Sequence, residues 1–198
     1  MITFHFRRAV RAATLEKWSA FFFTKDEWRC RCCPYSLGNL WMASTDSYIV
    51  IPIHNVKGEL VAYAGRWPGE PPDKDTPKYK IPASFKKSQE MFNLDRAIKE
   101  PADKPLAIVK GFFDVIKLHQ LGHRRVVGLM DDIMSPAQEE LIRRHAKSND
   151  HIVIMLAGHG DIAARLAKHC FVRTHTFDKT DAEPEHLTAE EVRNLLPL

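Results

Sequence analysis

From residue 105 onward, short apolar runs alternate with segments of helical spacing, and this alternation limits the folds open to the chain more than any other feature. The apolar runs predict four strands, at 106–109, 126–130, 152–156 and 172–177. Helices are predicted between and after them, at 112–121, 136–146, 162–169 and 189–196. Short buried strands separated by single helices are typical of a parallel sheet with helices on both faces. The sequence therefore predicts an α/β domain over residues 105–198.

Two of these helices begin with residues that cap helix N-termini. Ser135 precedes Pro136, and proline suits the first position of a helix. Thr188 stands three residues before Glu191, which is the spacing of a capping box. These residues predict where the second and the last helix of the domain start.

The preceding residues divide into two further segments. Residues 48–53 and 60–64 predict the strands of a β-hairpin, with turn residues at 55–58 between them. The hairpin belongs to a predicted subdomain over 46–104, which also holds an exposed loop at 68–80. Residues 1–45 form an N-terminal segment with a predicted amphipathic helix over 8–22.

Charge and composition exclude some classes of protein. The chain has 198 residues, a formal net charge of +4 and a pI near 8.9, which permits a polyanionic partner without demanding one. No run approaches the ~20 apolar residues of a membrane span, and the N-terminus lacks a signal-peptide pattern. We therefore expect a cytoplasmic protein that has no membrane partner.

The cysteines leave a zinc site open. Cys30 and Cys33 have the spacing of half a zinc site, and the only cysteine outside this cluster is Cys170, beside His169. Because a second ligand pair at local spacing is missing, reduced thiols are the favoured interpretation.

Ligands of open parallel sheets bind beyond the carboxyl ends of the strands. The residues predicted to stand there are Lys110-Gly111, Asp131-Asp132, 157–161 and Asp178. The turn at 158–161 suits an anion, since its glycines allow close approach, but ordinary strand-to-helix turns use glycine too. For Asp131 and Asp132 we expect a solvated loop.

Several motifs, in order, resemble the catalytic core of DnaG-type bacterial primases. Residues 58–66, 77–79, 85–88 and 91–94 resemble its mixed-sheet part. Residues 106–114 resemble the first strand and turn of the TOPRIM domain of those enzymes, Ser135 with Gln138 its second helix, and 152–167 its third strand and helix. The match runs from 46 to 190 and implies a TOPRIM-like parallel sheet flanked by helices, preceded by a small mixed α+β primase-core subdomain.

The resemblance also implies a catalytic site that this chain has altered. In that family a glutamate after the first strand acts as general acid or base, and an Asp-x-Asp pair after the third binds Mg²⁺. Those positions fall on Lys110, Ala157 and His159. A lysine repels a divalent cation where a carboxylate attracts it, so Lys110 is better suited to contact a phosphate directly. We expect that no cofactor is required.

Four acids remain as candidate metal ligands. The resemblance matches Asp114, Glu183 and Glu185 to acidic positions of the family, and Asp161 is displaced from the Asp-x-Asp pair by two to four residues. A rebuilt site would use them to hold Mg or Mn. Asp114 would serve equally well to stabilise the N-terminus of its own helix.

Basic residues interleaved with aromatic ones predict binding of single-stranded nucleic acid, because cations track phosphates while aromatic faces stack on bases. The candidate contacts are Arg66, Lys78, Tyr79, Lys86, Lys87 and Lys110. The resemblance places Arg66, Lys78 and Lys86 where the family has template and nucleotide contacts. The alternative is a solvated loop with Tyr79 and Phe85 packed inward.

The sequence thus leads to one hypothesis and two alternatives. The hypothesis is a primase-like TOPRIM protein that binds single-stranded DNA or RNA, or a replication protein, in a replication, plasmid or phage context without standard Mg-dependent catalysis. One alternative is an active nucleotidyltransferase of the DNA-primase type, or a nuclease, with a rebuilt metal site. The other is a non-catalytic protein-interaction module that uses Trp18 and 21–23 as its contact surface.

Overall fold

A computed structural model of the chain describes residues 43–45, 48–67, 70–146, 150–156, 160–175, 184 and 187–196. The predicted helix over 8–22, the aromatic cluster at 21–23 and the Cys30–Cys33 pair lie outside these residues. None of the helices described is long and apolar enough to cross a bilayer. The described residues form two compact units, one with residues up to 53 and 60–85, the other with 54–59 and the residues from 86 onward. The predicted division at 45 and 104 stays a prediction.

The first unit is built on a four-stranded sheet in the order β1-β2-β3-β4. Its strands are β1 (Ala43–Thr45), β2 (Tyr48–His54), β3 (Leu60–Arg66) and β4 (Tyr79–Lys80). The predicted hairpin is present, and both its strands continue beyond the predicted ends. β1 and β4, which pair antiparallel with β2 and β3, were not predicted because three and two residues are too few for a periodic signal.

The turn of this hairpin belongs to the second unit and is held by one side chain. Asn55 Oδ1 accepts hydrogen bonds from the backbone N–H groups of Lys57 and Glu59, both at 3.0 Å. Gly58 has φ +83, a left-handed conformation that glycine adopts without a steric cost. The predicted turn at 55–58 is therefore confirmed.

The second unit contains the predicted α/β domain. In chain order it has a short 3₁₀ helix, η1 (Lys87–Gln89), then α1 (Leu94–Ala97), β5 (Leu106–Val109), α2 (Phe112–Gln120), β6 (Val126–Gly128), α3 (Pro136–His145), β7 (His151–Met155), α4 (Gly160–Leu166), β8 (Phe171–Thr174) and α5 (Ala189–Leu195). The strand order is β6-β5-β7-β8, and every neighbouring pair is parallel. The parallel sheet flanked by helices confirms the fold predicted from the alternating pattern.

The ends of some elements differ from the prediction. β6 stops at Gly128 rather than at residue 130, because Met130 takes a left-handed conformation with φ +61. The helix predicted at 162–169 runs from Gly160 to Leu166. η1 and α1 were not predicted, since one turn of helix leaves little periodicity in a sequence.

One face of the parallel sheet packs on α3 and α4. Ile108 of β5 and Ile154 of β7 are fully buried together with Ile142 of α3 and Leu166 of α4. Burying an aliphatic side chain of this size contributes about 1.5–3 kcal/mol relative to leaving it exposed. The core therefore lies against the central strands and holds their carboxyl ends in place.

A buried ion pair fastens the amino edge of the same sheet. Arg125, just before β6, is 2.7 Å from Asp150, just before β7, and the two side chains are 6% and 2% exposed. Its guanidinium also donates to the carbonyl oxygen of Lys104, just before β5, at 2.6 Å. A buried charge is stable only when it is paired. Arg125 therefore ties the starts of β5, β6 and β7 together.

Buried His123 lies beside this pair and makes stability depend on pH. Burial lowers the pKa of His123 to about 4, with smaller contributions from the charges of Lys104 and Arg125. In the unfolded chain its pKa is about 6.5, so between about pH 6.5 and pH 4 the unfolded state binds the extra proton. We expect the free energy of unfolding to fall over this window, by up to about 3 kcal/mol from His123.

Urea unfolding at pH values from about 7.5 to about 4.5 measures this effect. The pKa of His119 is also lowered to about 4, mainly by burial, so His119 makes a contribution of the same sign to the pH dependence. A His123→Gln variant should show a shallower pH dependence than the wild type. Equal pH slopes for the two proteins would contradict the assignment.

Candidate functional site

The strand order fixes where a ligand crevice can form. After β5 the chain moves to β6 on one side and then returns to β7 on the other, so the connections diverge at the carboxyl end of β5. In open parallel sheets such a switch point is where ligands bind. Lys110 is the first residue after β5 and therefore stands at this point. Residues 157–159, which follow β7, lie outside the described part of the chain.

The turn after β5 leaves Lys110 exposed, and a local hydrogen bond stabilises the turn itself. Gly111 is the N-cap of α2, and its backbone N–H donates to Oδ2 of Asp114 at 2.7 Å. Asp114 is 3% exposed, so its carboxylate lies inside the first turn. This geometry supplies the helix-stabilising role that the sequence left open for Asp114. Its role as a metal ligand stays a prediction.

The Lys110 side chain meets an acid from the next loop. Its ammonium is 2.7 Å from Oδ1 of Asp132, and the two side chains are 50% and 74% exposed. A second pair lies in the same region, where the Lys87 ammonium from η1 is 2.6 Å from Oδ2 of Asp131. The backbone N–H of Asp132 donates to Oδ1 of Asp131 at 2.9 Å, which links the two pairs. We call these four residues the lysine–aspartate cluster.

The electrostatics of the cluster are coupled. The Lys87 ammonium beside Asp131 holds the pKa of that carboxyl below its usual range, and the charge of Lys110 lowers it further. Both lysines therefore act on Asp131. The expectation of a merely solvated loop for Asp131 and Asp132 was incomplete: the loop is exposed, but each carboxylate is paired with a lysine.

Backbone contacts hold the two loops of the cluster at a fixed separation. The N–H of Leu129 donates to the carbonyl of Val109 at 2.9 Å, and that of Met130 to the carbonyl of Lys110 at 2.8 Å. These bonds continue the β5–β6 ladder past the last paired strand residues. The left-handed Met130 then turns the chain into the Asp131-Asp132 loop.

Buried Gln138 connects η1 to this loop. Its side-chain amide nitrogen lies 3.2 Å from the carbonyl oxygen of Lys87, 2.8 Å from that of Glu90 and 2.9 Å from that of Leu129. Its Oε1 accepts from the N–H of Ser135 at 3.0 Å, completing the capping box of α3. One side chain, 1% exposed, thereby positions Lys87 next to the loop after β6.

The candidate metal ligands do not assemble among the described residues. Asp161 is exposed and pairs with Arg165 at 2.9 Å, while Arg165 also pairs with Glu139 at 2.7 Å. Within those residues no group of three His, Cys, Asp or Glu side chains lies close enough together to hold a metal ion. Ala157, His159, Glu183 and Glu185 lie outside the described residues. The predicted metal set stays a prediction.

The first unit holds a separate group of cations and aromatic rings. The Arg66 guanidinium lies 4.9 Å from the centre of the Tyr79 ring, and the Lys80 ammonium lies 4.1 Å from the centre of the Tyr48 ring. The Tyr48 ring meets that of Trp67 edge to face at 5.1 Å. These cation–π and aromatic contacts hold the rings in place beside the strands of this sheet.

The other predicted contacts are divided between the two units. Lys78, in the first unit, is half exposed and lies 3.8 Å from Glu70. Tyr79 is 38% exposed and so is not packed inward as the alternative required, whereas Phe85 is partly buried. Lys86 is exposed in the second unit, as is part of Lys87. Each unit therefore presents its own set of predicted nucleic-acid contacts.

Sequence comparison finds DNA primases among the proteins similar to this chain. A DNA primase of Clostridium acetobutylicum is 30% identical over 100 residues, which are 50% of this chain and 16% of that protein. A DNA primase of Mycoplasma pneumoniae is 36% identical over 124 residues, 59% of this chain and 19% of that protein. The chain thus spans only a small part of the curated relatives that it matches. No family model matches it.

The solved structures whose fold matches this chain are also structures of primases. The zinc-binding and RNA polymerase domains of the Aquifex aeolicus primase match with a TM-score of 0.61 at 24% identity, covering 78% of this chain and 43% of that chain. A DnaG primase catalytic domain bound to ssDNA matches with a TM-score of 0.57 at 22% identity, covering 77% and 53%. The sequence relatives named above are DNA primases, and the α/β fold of this chain matches that of primase catalytic cores.

Sequence reasoning found Lys110 and Lys87 but not their carboxylate partners, nor the part played by Gln138. From the sequence, Ser135 with Gln138 predicts only the start of a helix. The sequence does contain one signal for this role. A glutamine that caps a helix N-terminus through its amide oxygen still has an amide nitrogen, and that group must find hydrogen-bond acceptors when it is buried.

Because Gln138 satisfies several carbonyl groups at once, replacing it should be costly. We expect Gln138→Ala to lower the free energy of unfolding by about 2–4 kcal/mol, since buried acceptors lose their donor and a cavity remains. Gln89→Ala, which removes the same side chain from an exposed position of η1, should change it by less than about 0.5 kcal/mol. Urea unfolding of both variants tests this, and similar losses would contradict the anchoring role.

Proposed function

We propose that this protein binds single-stranded DNA or RNA in the cytoplasm, in a replication, plasmid or phage context, without the standard Mg-dependent chemistry of primases. Binding would use the phosphate backbone of the nucleic acid. Lys110 and Lys87 would contact phosphates at the carboxyl edge of the parallel sheet, and Lys86 would extend this surface. In the first unit, Arg66, Lys78 and Tyr79 would supply a second set of contacts.

The single observation that carries the proposal is the position and state of Lys110. It stands at the switch point of the sheet, half exposed, and its ammonium already holds the carboxylate of Asp132 at 2.7 Å. An ammonium that holds a carboxylate in water can hold a phosphate oxygen in the same geometry, because both are anionic oxygen acceptors. The position therefore suits an anionic ligand.

The same position argues against two-metal catalysis. Mg²⁺ is held by oxygen ligands, and a lysine at this place adds a positive charge where a carboxylate would be needed. At about 4 Å, two like unit charges repel by ~1 kcal/mol in water and by several times more in a partly dry cleft. Asp114, which would be the nearest family ligand, is directed into its own helix start.

The exposed aromatic ring of the first unit is better suited to single-stranded nucleic acid than to a duplex. Tyr79 is partly exposed under the guanidinium of Arg66, and exposed aromatic faces beside cations stack on unpaired bases. Among the similar structures, one DnaG catalytic domain is bound to ssDNA and one primase RNA polymerase domain is in complex with double-stranded DNA. The binding assay should therefore compare single-stranded with double-stranded DNA.

Fluorescence anisotropy with labelled single-stranded DNA, single-stranded RNA and duplex DNA, over a series of salt concentrations, measures this binding. We expect Lys110→Ala and Lys87→Ala each to weaken binding to a single strand by about 3- to 10-fold and to reduce the salt slope by about 0.7, since each removes one phosphate contact. Tyr79→Ala should weaken binding to single strands more than to duplex DNA.

Lys168→Ala is a matched control, because it removes the same charge from an exposed position. Lys168 follows α4 and precedes β8, which places it at the amino edge of the sheet. Equal losses for Lys168→Ala and Lys110→Ala would mean that only net charge matters. No salt-sensitive binding to any of the three ligands would contradict the proposal and favour a protein-interaction module.

Primer synthesis and DNA cleavage with Mg²⁺ or Mn²⁺ test the absence of catalysis. We expect no product from the wild type beyond that of a heat-denatured sample. Activity that disappears in Asp114→Ala would contradict this part of the proposal and support the rebuilt metal site. Binding and catalysis are measured separately, so either part can fail alone.

A further inference from the structure

Two of the proposed phosphate contacts, Lys87 and Lys110, are not bare cations in this structure, because each is paired with a carboxylate. Asp131 pairs with Lys87 at 2.6 Å, and Asp132 pairs with Lys110 at 2.7 Å. The cluster carries two positive and two negative charges, so its formal sum is zero. A phosphate backbone that approaches it meets a neutral group rather than a basic patch.

We propose that Asp131 and Asp132 are built-in competitors of the phosphate backbone, which must leave the two lysines before nucleic acid can bind there. The inference rests on the proposed function and names how the same site is regulated. The two acids would set the affinity of the site and the charge density that a ligand needs. They are specificity-determining residues rather than ligands of the nucleic acid.

The geometry makes this displacement feasible. The four side chains are between 43% and 74% exposed, and ion pairs at this exposure contribute little to stability because water and salt compete for both partners. A charged ligand can therefore replace the carboxylate without unfolding the loop. The backbone bonds from Leu129 and Met130 keep the loop beside β5 while the side chains rotate away.

The link between the two pairs favours a ligand with several phosphates. Asp132 donates its N–H to Oδ1 of Asp131, and the charge of Lys110 also acts on Asp131. The two lysines therefore lie in one linked cluster. A chain with several phosphates can engage both ammonium groups at once, while a single phosphate can replace only one carboxylate. The site should therefore discriminate against free phosphate.

Asp131→Asn and Asp132→Asn test the inference, since asparagine keeps the shape and removes the charge. We expect each variant to bind a labelled single-stranded oligonucleotide about 3- to 10-fold more tightly than the wild type at moderate salt, with a steeper salt dependence. Glu140→Gln is the matched control. Glu140 is an exposed acid of α3 that pairs with Arg143 at 3.1 Å and Arg144 at 2.8 Å, so its loss changes net charge equally at another place.

A double variant separates local competition from a general gain of positive charge. In Lys110→Ala, the Asp132→Asn change should give less than about a 2-fold gain, because the lysine that the acid occupies is gone. Urea unfolding of each variant verifies that the fold is kept. Inorganic phosphate should compete poorly with the oligonucleotide for the wild type and better for Asp132→Asn.

The outcomes distinguish this inference from the proposed function. If Lys110→Ala weakens binding while Asp131→Asn and Asp132→Asn leave it unchanged or weaken it, the competitor role is wrong and the proposed function stands. If Glu140→Gln strengthens binding as much as Asp132→Asn, the effect is one of net charge and the inference fails. If neither the wild type nor any variant binds, both fail. Binding that appears only in the asparagine variants would support the competitor role of the acids, while the proposed binding by the wild type would fail.

Discussion

The parallel pairing of β5 with both of its neighbours is the interaction on which the second unit depends. Ala107 pairs with Val126 on one side and with Val153 on the other, and every residue of β5 is at most 4% exposed. A strand bonded on both edges and covered on both faces cannot shift its register without exposing apolar side chains or losing hydrogen bonds. Its carboxyl end is therefore a fixed point, and Lys110 stands there.

Electrostatics then decide what that fixed point can bind. At the carboxyl end of β5 this chain has the ammonium of Lys110, and Asp132 from the next loop pairs with it. The cation is at the switch point, and the carboxylates come from the loop after β6. A site of this kind attracts anionic ligands weakly, since attraction by the lysines is opposed by repulsion from the aspartates. Affinity would then depend on how easily the acids move away.

Much of the fold could be predicted because its signals are local. The strand at 106–109 and the starts of α3 and α5 agree with the structure, since apolar runs and capping residues act within a few positions of the chain. The lysine–aspartate cluster could not be predicted in the same way. Lys87 and Asp131 are far apart in sequence, and only the packing of η1 beside the loop, through Gln138, brings them to 2.6 Å. Met130 likewise ends β6 early because it takes a left-handed conformation, which a methionine in the sequence does not predict.

The sequence by itself determined the class of fold and the chemistry at the end of β5, because hydrophobic periodicity and the identity of Lys110 are read directly from the chain. Tertiary structure decided the electrostatic state of that lysine. Whether a charge is open to a ligand depends on its partners within a few ångströms, and these come from segments that meet only after the sheet has formed. For this protein the residue at the site is a property of the sequence, and the carboxylates that compete for it are a property of the fold.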